Sequence, residues 1–499
     1  MRWGTLVDSH WTVPIAAALA FLLRLPGLSR PVRPDEAGWF LVARTWDPSP
    51  DSVYGEHFVD RPPSLIGLVD LADQLGGLVT LRLLGALAAA AMVLLAARIG
   101  ALVADAAAGR WSAVVVAALT TSPLIDPVAA KGELLALPLV GLALWWSLLA
   151  SRAEPAGRAL GLAFAAGLVG GAALGLKQSL VGGLVFAAVL FLGSWWWGPT
   201  GRRRLLALLA SLAAGAAVPV LATVGWALAA GVRLSELSYT VYGFRSDAAQ
   251  VLAEGTSTKP AERIALLVAI AIGAGVVAIV AGFVVHLPQN WATDRPVTLA
   301  TAAVLIVELA GLIAGGSYWR DYLFPLVPPL AICVTLLVSR GGRPASRMRF
   351  IALLSAGSAV VSLVVWFVLE LAGVIGYTEV AAGDAIAEAA APDDTLTVFG
   401  GRADVQYASG LRSPYPHLWS LPMRTLDPEY ADLVALLDGP RAPTWFVTWI
   451  PLGSWDAPGA DDLRTAIERN YERHGTGCDD NAVYLLKGVE RPAITPDCD

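Results

Sequence analysis

The chain has 499 residues, a net charge of -6 and a mean hydropathy of +0.61, and only 15% of its residues are charged. A soluble protein carries about 25% charged residues, so this composition excludes an ordinary soluble globular protein. The acidic balance also excludes a basic surface for nucleic acid. Repeated apolar stretches of about 18 to 25 residues predict a polytopic α-helical membrane protein.

About eleven apolar stretches follow one another along the chain, and the first lacks a small-residue cleavage site, so we expect it to remain as a helix. They lie near 11–28, 78–103, 111–125, 133–150, 158–175, 179–197, 205–230, 263–286, 297–314, 322–339 and 350–375. We therefore expect a transmembrane domain over residues 1–375. Two long polar loops interrupt it at 29–77 and 231–262.

Each long loop contains a short aromatic segment. Residues Ala37 to Trp46 are too few to span a membrane, but they suit a helix lying in the interface with aromatic anchors. Tyr239 to Phe244 suit the same arrangement in the second loop. Ordinary packing within the loop is the alternative for both segments.

Hydropathy falls after Gly376 and stays low to the C-terminus, which predicts a small α/β domain over residues 376–499. Short buried strands are expected at Thr395–Phe399, Trp445–Trp449 and Ala482–Leu486. Helices are expected at Asp427–Leu437 and Asp461–Tyr471, with Asp near their starts.

The three cysteines fall into two groups. Cys333 lies in an apolar stretch and is expected to be a buried thiol. Cys478 and Cys498 lie in the polar C-terminal part, where a disulfide is permitted if this part is outside the cell. The sequence leaves their pairing open, since it contains no geometry.

Arginines near short loops predict the orientation of the chain in the membrane. Arg202 to Arg204 cluster with the group 340–349 on one side, while the opposite short loops hold few basic residues. We therefore expect a cytoplasmic N-terminus in a plasma-membrane protein. Both long loops and the C-terminal domain are then extracytoplasmic.

Ionisable side chains collect in five short segments on the predicted outer face. A charged side chain near the end of a membrane span is unfavourable in free energy, so its presence there needs an explanation. These segments are Arg24 with Asp35-Glu36, Asp60-Arg61-Pro62-Pro63, Lys131-Gly132-Glu133, Lys177-Gln178 and Tyr318-Trp319-Arg320-Asp321-Tyr322. Their shared face predicts a catalytic site and not the short turns of a transporter.

The order of these motifs resembles a known family. Leu23 to Pro26, Pro34 to Ala37, Arg61-Pro62-Pro63 and Lys177-Gln178 after a Gly-rich helix are similar to motifs of the polyprenyl-phosphate-sugar glycosyltransferases of the GT-C superfamily. The similarity is to the bacterial protein O-mannosyltransferase and lipid A aminoarabinose transferase branch. Tyr318 to Ala331, Pro392 to Phe399 and Tyr407 to Gly410 extend it over most of the chain.

The resemblance implies an inverting transfer of a sugar from a polyprenyl-phosphate monosaccharide to an acceptor on the outer face. Such a transfer needs a general base for the acceptor's proton, and the resemblance assigns that role to Asp35. A structural acid at the end of a helix is the alternative for this residue. Glu36 is expected to orient the site, or to be a solvated partner of a nearby arginine.

Cations must stabilise the leaving lipid phosphate. Arg61 stands where relatives place a basic residue, and as an arginine it offers a bidentate fork. Lys131 and Lys177 are notable because the chain otherwise prefers arginine. Arg320 and Tyr322 complete the candidate phosphate ligands. Snorkelling or helix-end anchoring is the alternative for the basic residues.

Three further residues are supporting candidates. Glu133 is expected to hold a nearby base in place. Arg24 is a candidate ligand, although snorkelling suits it better, and His57 is more often a packing residue than a catalyst. Asp321 departs from the family pattern, in which histidine is frequent, and this puts a role for that position in doubt.

No metal-ligand, nucleotide or Walker motif is present, so we expect phosphate stabilisation without a cofactor. A divalent cation held by Asp35 and Glu36 stays open. The expected partners are the lipid-linked donor, the bilayer and a glycan, lipid or protein acceptor. The alternative function is a transporter or lipid flippase without transferase activity, which would place charges at mid-span in matched broken helices.

Overall fold

The computed structural model describes residues 7–126, 128–254 and 259–498, so positions 255–258 of the predicted second loop lie outside the described residues. The chain forms two compact units. The first unit comprises residues 1–29, 79–225 and 259–367, and the second comprises 30–78, 226–258 and 368–499. The second unit therefore contains most of both predicted long loops together with the C-terminal region. The expected boundary at residue 375, between the transmembrane and C-terminal domains, stays a prediction.

The first unit is built from apolar helices. Its helices are Thr12–Leu22, Leu78–Val103, Ala106–Thr121, Gly132–Arg152, Ala156–Leu176, Gly182–Trp197, Arg202–Ala229, Lys259–Gly273, Val276–Val285, Leu287–Thr293, Arg295–Ala314, Val327–Val338 and Gly342–Leu371, with 3-10 turns at Leu25–Ser29 and Arg320–Leu326. Within the described ranges, eight helical segments are long and apolar enough to cross a membrane, or nine if a pair bent by 71° is one span. The chain is thus a multi-pass membrane protein, and the count of about eleven stays a prediction.

Small residues allow the helices of this unit to approach closely. A methyl group on Gly167 would lie 2.0 Å from the carbonyl oxygen of Leu212, and one on Gly215 would lie 2.0 Å from that of Phe164. Helices Ala156–Leu176 and Arg202–Ala229 therefore touch backbone to backbone. Packing of this kind drives helix association where lipid and side chains are equally apolar.

The second unit contains a four-stranded sheet flanked by helices. Its strands are β1 (Leu396–Phe399), β2 (Trp445–Thr448), β3 (Tyr471–Thr476) and β4 (Ala482–Leu486), in the order β1-β2-β4-β3. Its helices are Pro34–Arg44, Pro63–Gly76, Leu234–Ser238, Phe244–Glu254, Thr378–Ala389, Ala403–Ser409, Ser420–Leu426, Ala431–Leu437 and Ala460–Asn470, with a π-helical turn at Tyr239–Gly243 and a 3-10 turn at Cys478–Asp480. Strands β1 and β2 are parallel, and the other pairs are antiparallel.

Both faces of the sheet are covered. Val398 and Val447 belong to the core cluster that includes Ile386 of helix Thr378–Ala389. Phe399 and Phe446 belong to a second cluster, which includes side chains of helices Ala431–Leu437 and Ala460–Asn470. The predicted membrane-helical fold with a small α/β domain is confirmed.

Two details differ from the expectation for the loops and strands. Trp39 and Phe40 are 2% and 0% exposed within the second unit, so they are core residues of helix Pro34–Arg44 and not membrane anchors. Strand β3 was not predicted, because its sequence Tyr-Glu-Arg-His-Gly-Thr is polar at the edge of the sheet. An edge strand needs no apolar run to pair with its neighbour.

Candidate functional site

Asp35 lies in the first turn of helix Pro34–Arg44 in the second unit, and its side chain is half-buried. The proline at the first helical position favours a helix start here, and the positive end of the helix dipole favours an anion. Trp419 donates its indole Nε1–H to Oδ1 of Asp35 over 3.2 Å. A carboxylate that is held but still half-exposed can accept a proton from a bound molecule.

Glu36, the neighbour of Asp35, is fully buried. Its Oε2 accepts a hydrogen bond from the backbone N–H of Arg33 over 3.2 Å. This is the contact that an acid in the third helical position makes with the residue before the helix. Glu36 therefore caps the helix that carries Asp35 from a buried position.

Arg61 lies beside a second acid of the same unit, Asp60. The Asp60 carboxylate bonds Arg61 Nη1 over 2.8 Å through one oxygen, and it pairs with Arg245 through the other. Buried Tyr54 donates its hydroxyl to the carbonyl of Arg61, which fixes the backbone at this point. Two guanidinium groups from the two predicted loops thus flank one carboxylate.

His57 is a packed residue, 3% exposed. It forms a hydrogen bond with the backbone of Tyr415 and lies close to His417. Burial first, and His417 second, lower the pKa of His57 to about 4. Burial likewise lowers the pKa of His417 to about 4. Both imidazoles are therefore neutral at pH 7. Near them, the backbone N–H of Phe58 donates a hydrogen bond to the carbonyl oxygen of Pro416 over 3.0 Å.

Lys177 is the centre of a cluster in the first unit. It forms an ion pair with Glu133, and both side chains are largely buried. Its Nζ lies 4.4 Å from the centroid of the Tyr322 ring, a cation–π contact. Glu308 interacts electrostatically with Lys177 and accepts a hydrogen bond from the backbone of Gly182. The lysine is thus held by two acids and one aromatic ring.

Lys131 immediately precedes helix Gly132–Arg152 and is half-buried. The segment that leads to it is tied down by Arg24, whose guanidinium donates to the carbonyls of Thr120, Asp126 and Ala129 over 2.9 to 3.0 Å. Arg24 is only 4% exposed. Its guanidinium therefore links the segment after helix Thr12–Leu22 to the segment before Lys131. The ligand and snorkelling roles of Arg24 stay predictions.

The late segment of the first unit separates its two candidate phosphate ligands. Tyr322 contacts Lys177, whereas Arg320 is exposed at the start of the 3-10 turn Arg320–Leu326. The neighbouring Trp319 stacks under Arg263, with the guanidinium carbon 4.0 Å from the ring centroid. Asp321 is half-buried at the same turn.

Sequence reasoning missed three residues that contact the candidates. Trp419 and Arg245 carry no local signal, because only the fold brings them to Asp35 and Asp60. Glu308 does have a signal. It is an acid within the apolar helix Arg295–Ala314, and ionisable residues inside a span are functional candidates by default.

The described ranges contain no group of three or more His, Cys, Asp or Glu side chains that could hold a metal ion. Asp35 and Glu36 both accept hydrogen bonds from protein donors.

Comparison with known proteins finds similarity in the fold alone. No family model matches the chain, and no curated protein matches it. The structure of ArnT from Cupriavidus metallidurans bound to undecaprenyl phosphate is 14% identical, with a TM-score of 0.62 over 97% of this chain and 100% of that chain. Its apo state matches at the same TM-score over 95% and 97%.

A second solved protein is also similar. The Archaeoglobus fulgidus oligosaccharyltransferase tethered with an acceptor peptide is 14% identical, with a TM-score of 0.52 over 99% of this chain and 76% of that chain. Another structure of that enzyme, in complex with Zn and sulfate, matches at 0.51. The chain therefore has a fold similar to those of ArnT and of this oligosaccharyltransferase.

Proposed function

We propose that this chain is a membrane glycosyltransferase that moves a sugar from a polyprenyl-phosphate donor to an acceptor. The observation that carries the proposal is the fold, which extends over essentially the full length of both chains in the comparison with ArnT bound to undecaprenyl phosphate. The oligosaccharyltransferase tethered to an acceptor peptide supports transfer to an acceptor molecule. A transporter or flippase remains the alternative function.

In the proposed reaction, an acceptor hydroxyl attacks the anomeric carbon of the donor sugar. The new carbon–oxygen bond forms as the bond to the lipid phosphate breaks, and the leaving phosphate takes the electron pair. Asp35 accepts the proton of the hydroxyl as general base. A single displacement of this kind inverts the anomeric configuration.

The leaving phosphate needs positive charge, and the proposal assigns that role to Arg61, Lys131 and Lys177, with Arg320 and Tyr322 as further ligands. Arg245 joins them, because it shares the Asp60 carboxylate with Arg61. In the ligand-free chain Arg61 and Arg245 pair with Asp60, and Lys177 pairs with Glu133. A phosphate group would replace Asp60 or Glu133 as the partner, since charge-assisted hydrogen bonds to phosphate are among the strongest that proteins make.

We propose that transfer does not need a divalent cation. Support comes from the guanidinium and ammonium groups around the candidate residues, which supply positive charge without a metal ion. Full activity after treatment with a chelator is the expected result. Loss of activity that Mg²⁺, Mn²⁺ or Zn²⁺ restores would contradict the metal-free version and leave the transfer itself in place.

We further propose that the second unit faces the outside of the cell. The disulfide between Cys478 and Cys498 supports this orientation, because disulfides persist in oxidising compartments. Both long loops belong to the same unit as the C-terminal region. All three are therefore expected on the same side of the membrane. The arginine cluster at 202–204 marks the cytoplasmic side.

The experiment uses the full chain in proteoliposomes with a panel of polyprenyl-phosphate monosaccharides and measures release of polyprenyl phosphate. Asp35→Asn is expected to lower kcat by about 10²- to 10⁴-fold, the usual contribution of a general base. The matched control is Glu56→Gln, an exposed acid of the same loop, which should retain activity. Equal rates for wild type and Asp35→Asn would refute the assigned base, and movement of lipid without sugar release would favour the flippase.

A further inference from the structure

A cavity of about 650 Å³ opens in the second unit, away from the contacts of Asp60 and the buried histidines. It lies among residues 370–376, helix Thr378–Ala389 and the C-terminal tail near Cys498, which all belong to the second unit. Its volume falls within the range of about 300 to 1,000 Å³ that holds small organic ligands. Unlike the lining of an ordinary apolar pocket, half of its lining residues have polar side chains.

Glu370 is the buried acid of this cavity, with a side chain that is 5% exposed. One carboxylate oxygen, Oε1, pairs with Arg30 over 2.8 Å and accepts the hydroxyl of Tyr377 over 3.3 Å. The other oxygen, Oε2, is buried and has no hydrogen-bond partner. A buried acceptor left unsatisfied is unfavourable, so rotation of this carboxylate toward an O–H or N–H donor bound in the cavity would be favourable.

The charge of the cavity limits what the ligand can be. Asp384 and Glu388 lie one turn apart on helix Thr378–Ala389, Asp497 lies on the tail, and Arg30 is the single basic residue in the lining. This excess of acids disfavours a phosphate or carboxylate. The described acids also form no group that could hold a metal ion. A molecule rich in hydrogen-bond donors is what remains, and a saccharide has that chemistry.

The cavity borders the segment that carries the candidate base. Arg30 and Pro31 line it, and Asp35 follows five positions after Arg30. Burial and Glu370 raise the pKa of Tyr377, while Arg33, the residue before helix Pro34–Arg44, acts on Tyr377 in the opposite sense. A ligand beside Tyr377 would therefore lie near the start of the helix that holds Asp35.

We propose that this cavity is a binding site for the glycan of the acceptor, with saccharide hydroxyl or amino groups donating to Glu370, Asp384 and Glu388. The inference rests on the proposed function and narrows its acceptor to a saccharide. Neutral and amino sugars share the donor chemistry. They differ in charge, so the salt dependence of binding distinguishes them. Binding of an amino sugar weakens as ionic strength rises, and binding of a neutral sugar does not.

The first experiment probes an array of neutral and amino glycans with the purified full chain in detergent. Wild type is expected to bind a defined subset, and Asp384→Asn with Glu388→Gln is expected to weaken that binding about tenfold or more, which corresponds to about 1.4 kcal/mol. Glu472→Gln, an exposed acid on strand β3 outside the cavity, is the matched control and should bind like wild type. No glycan bound by wild type, or an unchanged pattern in the double variant, overturns the inference.

Kinetics separate this inference from the proposed function. With a bound glycan as acceptor, Tyr377→Phe and the double variant should raise the acceptor KM, while hydrolysis of the donor by water stays within about twofold. If Asp35→Asn loses donor turnover and the cavity variants do not, the result supports the transferase, whatever the cavity binds. An unchanged acceptor KM in the cavity variants refutes the glycan site and leaves the transferase intact, whereas glycan binding without any donor turnover refutes the transferase and leaves the site intact.

Discussion

Trp419 donates its indole N–H to Asp35 over 3.2 Å, although the two residues are 384 positions apart along the chain. The same ring packs on helix Pro34–Arg44 at Gly38, where a methyl group would lie 2.1 Å from its Cζ2 atom. The C-terminal region of the second unit therefore holds the candidate base by one hydrogen bond and one close contact. This gives the C-terminal region a role in positioning Asp35.

Trp419→Phe tests the hydrogen bond, because phenylalanine keeps an aromatic ring and removes the N–H donor. We expect kcat to fall about tenfold, equivalent to about 1.4 kcal/mol in the barrier, with little change in the donor KM. Single-turnover kinetics of sugar release measure the effect. A purely structural tryptophan would instead lower the unfolding temperature and leave kcat unchanged in the folded fraction.

Gly38→Ala tests the close contact between the helix and the indole ring. The new methyl group cannot fit beside the Trp419 ring, so the ring must move and the bond to Asp35 is lost. We expect kcat to fall at least as far as in Trp419→Phe. Gly67→Ala is the matched control, because a methyl group there would make an ordinary contact of 3.7 Å with Trp46. Equal activity of the two alanine variants would contradict the positioning role.

Lys177 and Glu133 can be tested as a pair. If Lys177 binds the donor phosphate, Lys177→Met should raise the donor KM about tenfold or more, because it removes a charge-assisted contact. Glu133→Gln removes the competing partner and should lower the donor KM or leave it unchanged. Initial rates across donor concentrations measure both. A lysine with only a structural role predicts a lower unfolding temperature in both variants and no change in donor KM in either.

Much of the fold was predictable because membrane helices have a strong signal of about 20 apolar residues. Helix Leu78–Val103 was predicted with these bounds, and three of the four strands were predicted within one residue. Strand β3 was missed, because its residues are polar and it pairs at an edge. The break at residues 274–275 inside the predicted span 263–286 was also missed, although Gly275 has a φ of 84°, which glycine adopts readily.

The candidate site was less predictable than the fold. Asp35, Arg61 and Lys177 stand out by residue type and position, but their partners come from remote parts of the chain. Trp419 and Arg245 approach Asp35 and Asp60 only after the second unit has folded, so no spacing in the sequence reveals them. The catalytic and phosphate-binding roles remain predictions that the variants above can test.

The orientation of the chain can be tested by cysteine labelling, because the native background is low. Cys333 is buried, and Cys478 and Cys498 are disulfide-bonded. Glu56→Cys is expected to react with an impermeant maleimide in intact cells, whereas Ser346→Cys should react only after permeabilisation. Both positions are exposed, and Glu56 is a better probe than its buried neighbour, residue 57. The reverse pattern would invert the proposed topology.

The two buried imidazoles of the second unit predict how stability depends on pH. The pKa values of His57 and His417 are about 4 in the folded chain, against 6.5 for an ordinary histidine. Between pH 6.5 and pH 4 the unfolded chain therefore binds more protons, so the free energy of unfolding rises with pH and levels off above pH 6.5. The stability lost on acidification through this window is roughly 3 kcal/mol for each imidazole.

Unfolding temperatures of the full chain in detergent, measured from pH 7 to pH 4.5, are expected to fall more for wild type than for His57→Asn. Asparagine retains a polar group near the backbone of Tyr415, but it does not titrate in this range. Other acids of the chain titrate equally in both proteins, so the difference between the two curves isolates the imidazole. His10→Asn is the control, because His10 is an exposed histidine. Parallel curves for wild type and His57→Asn would show that burial of this imidazole does not set the acid sensitivity.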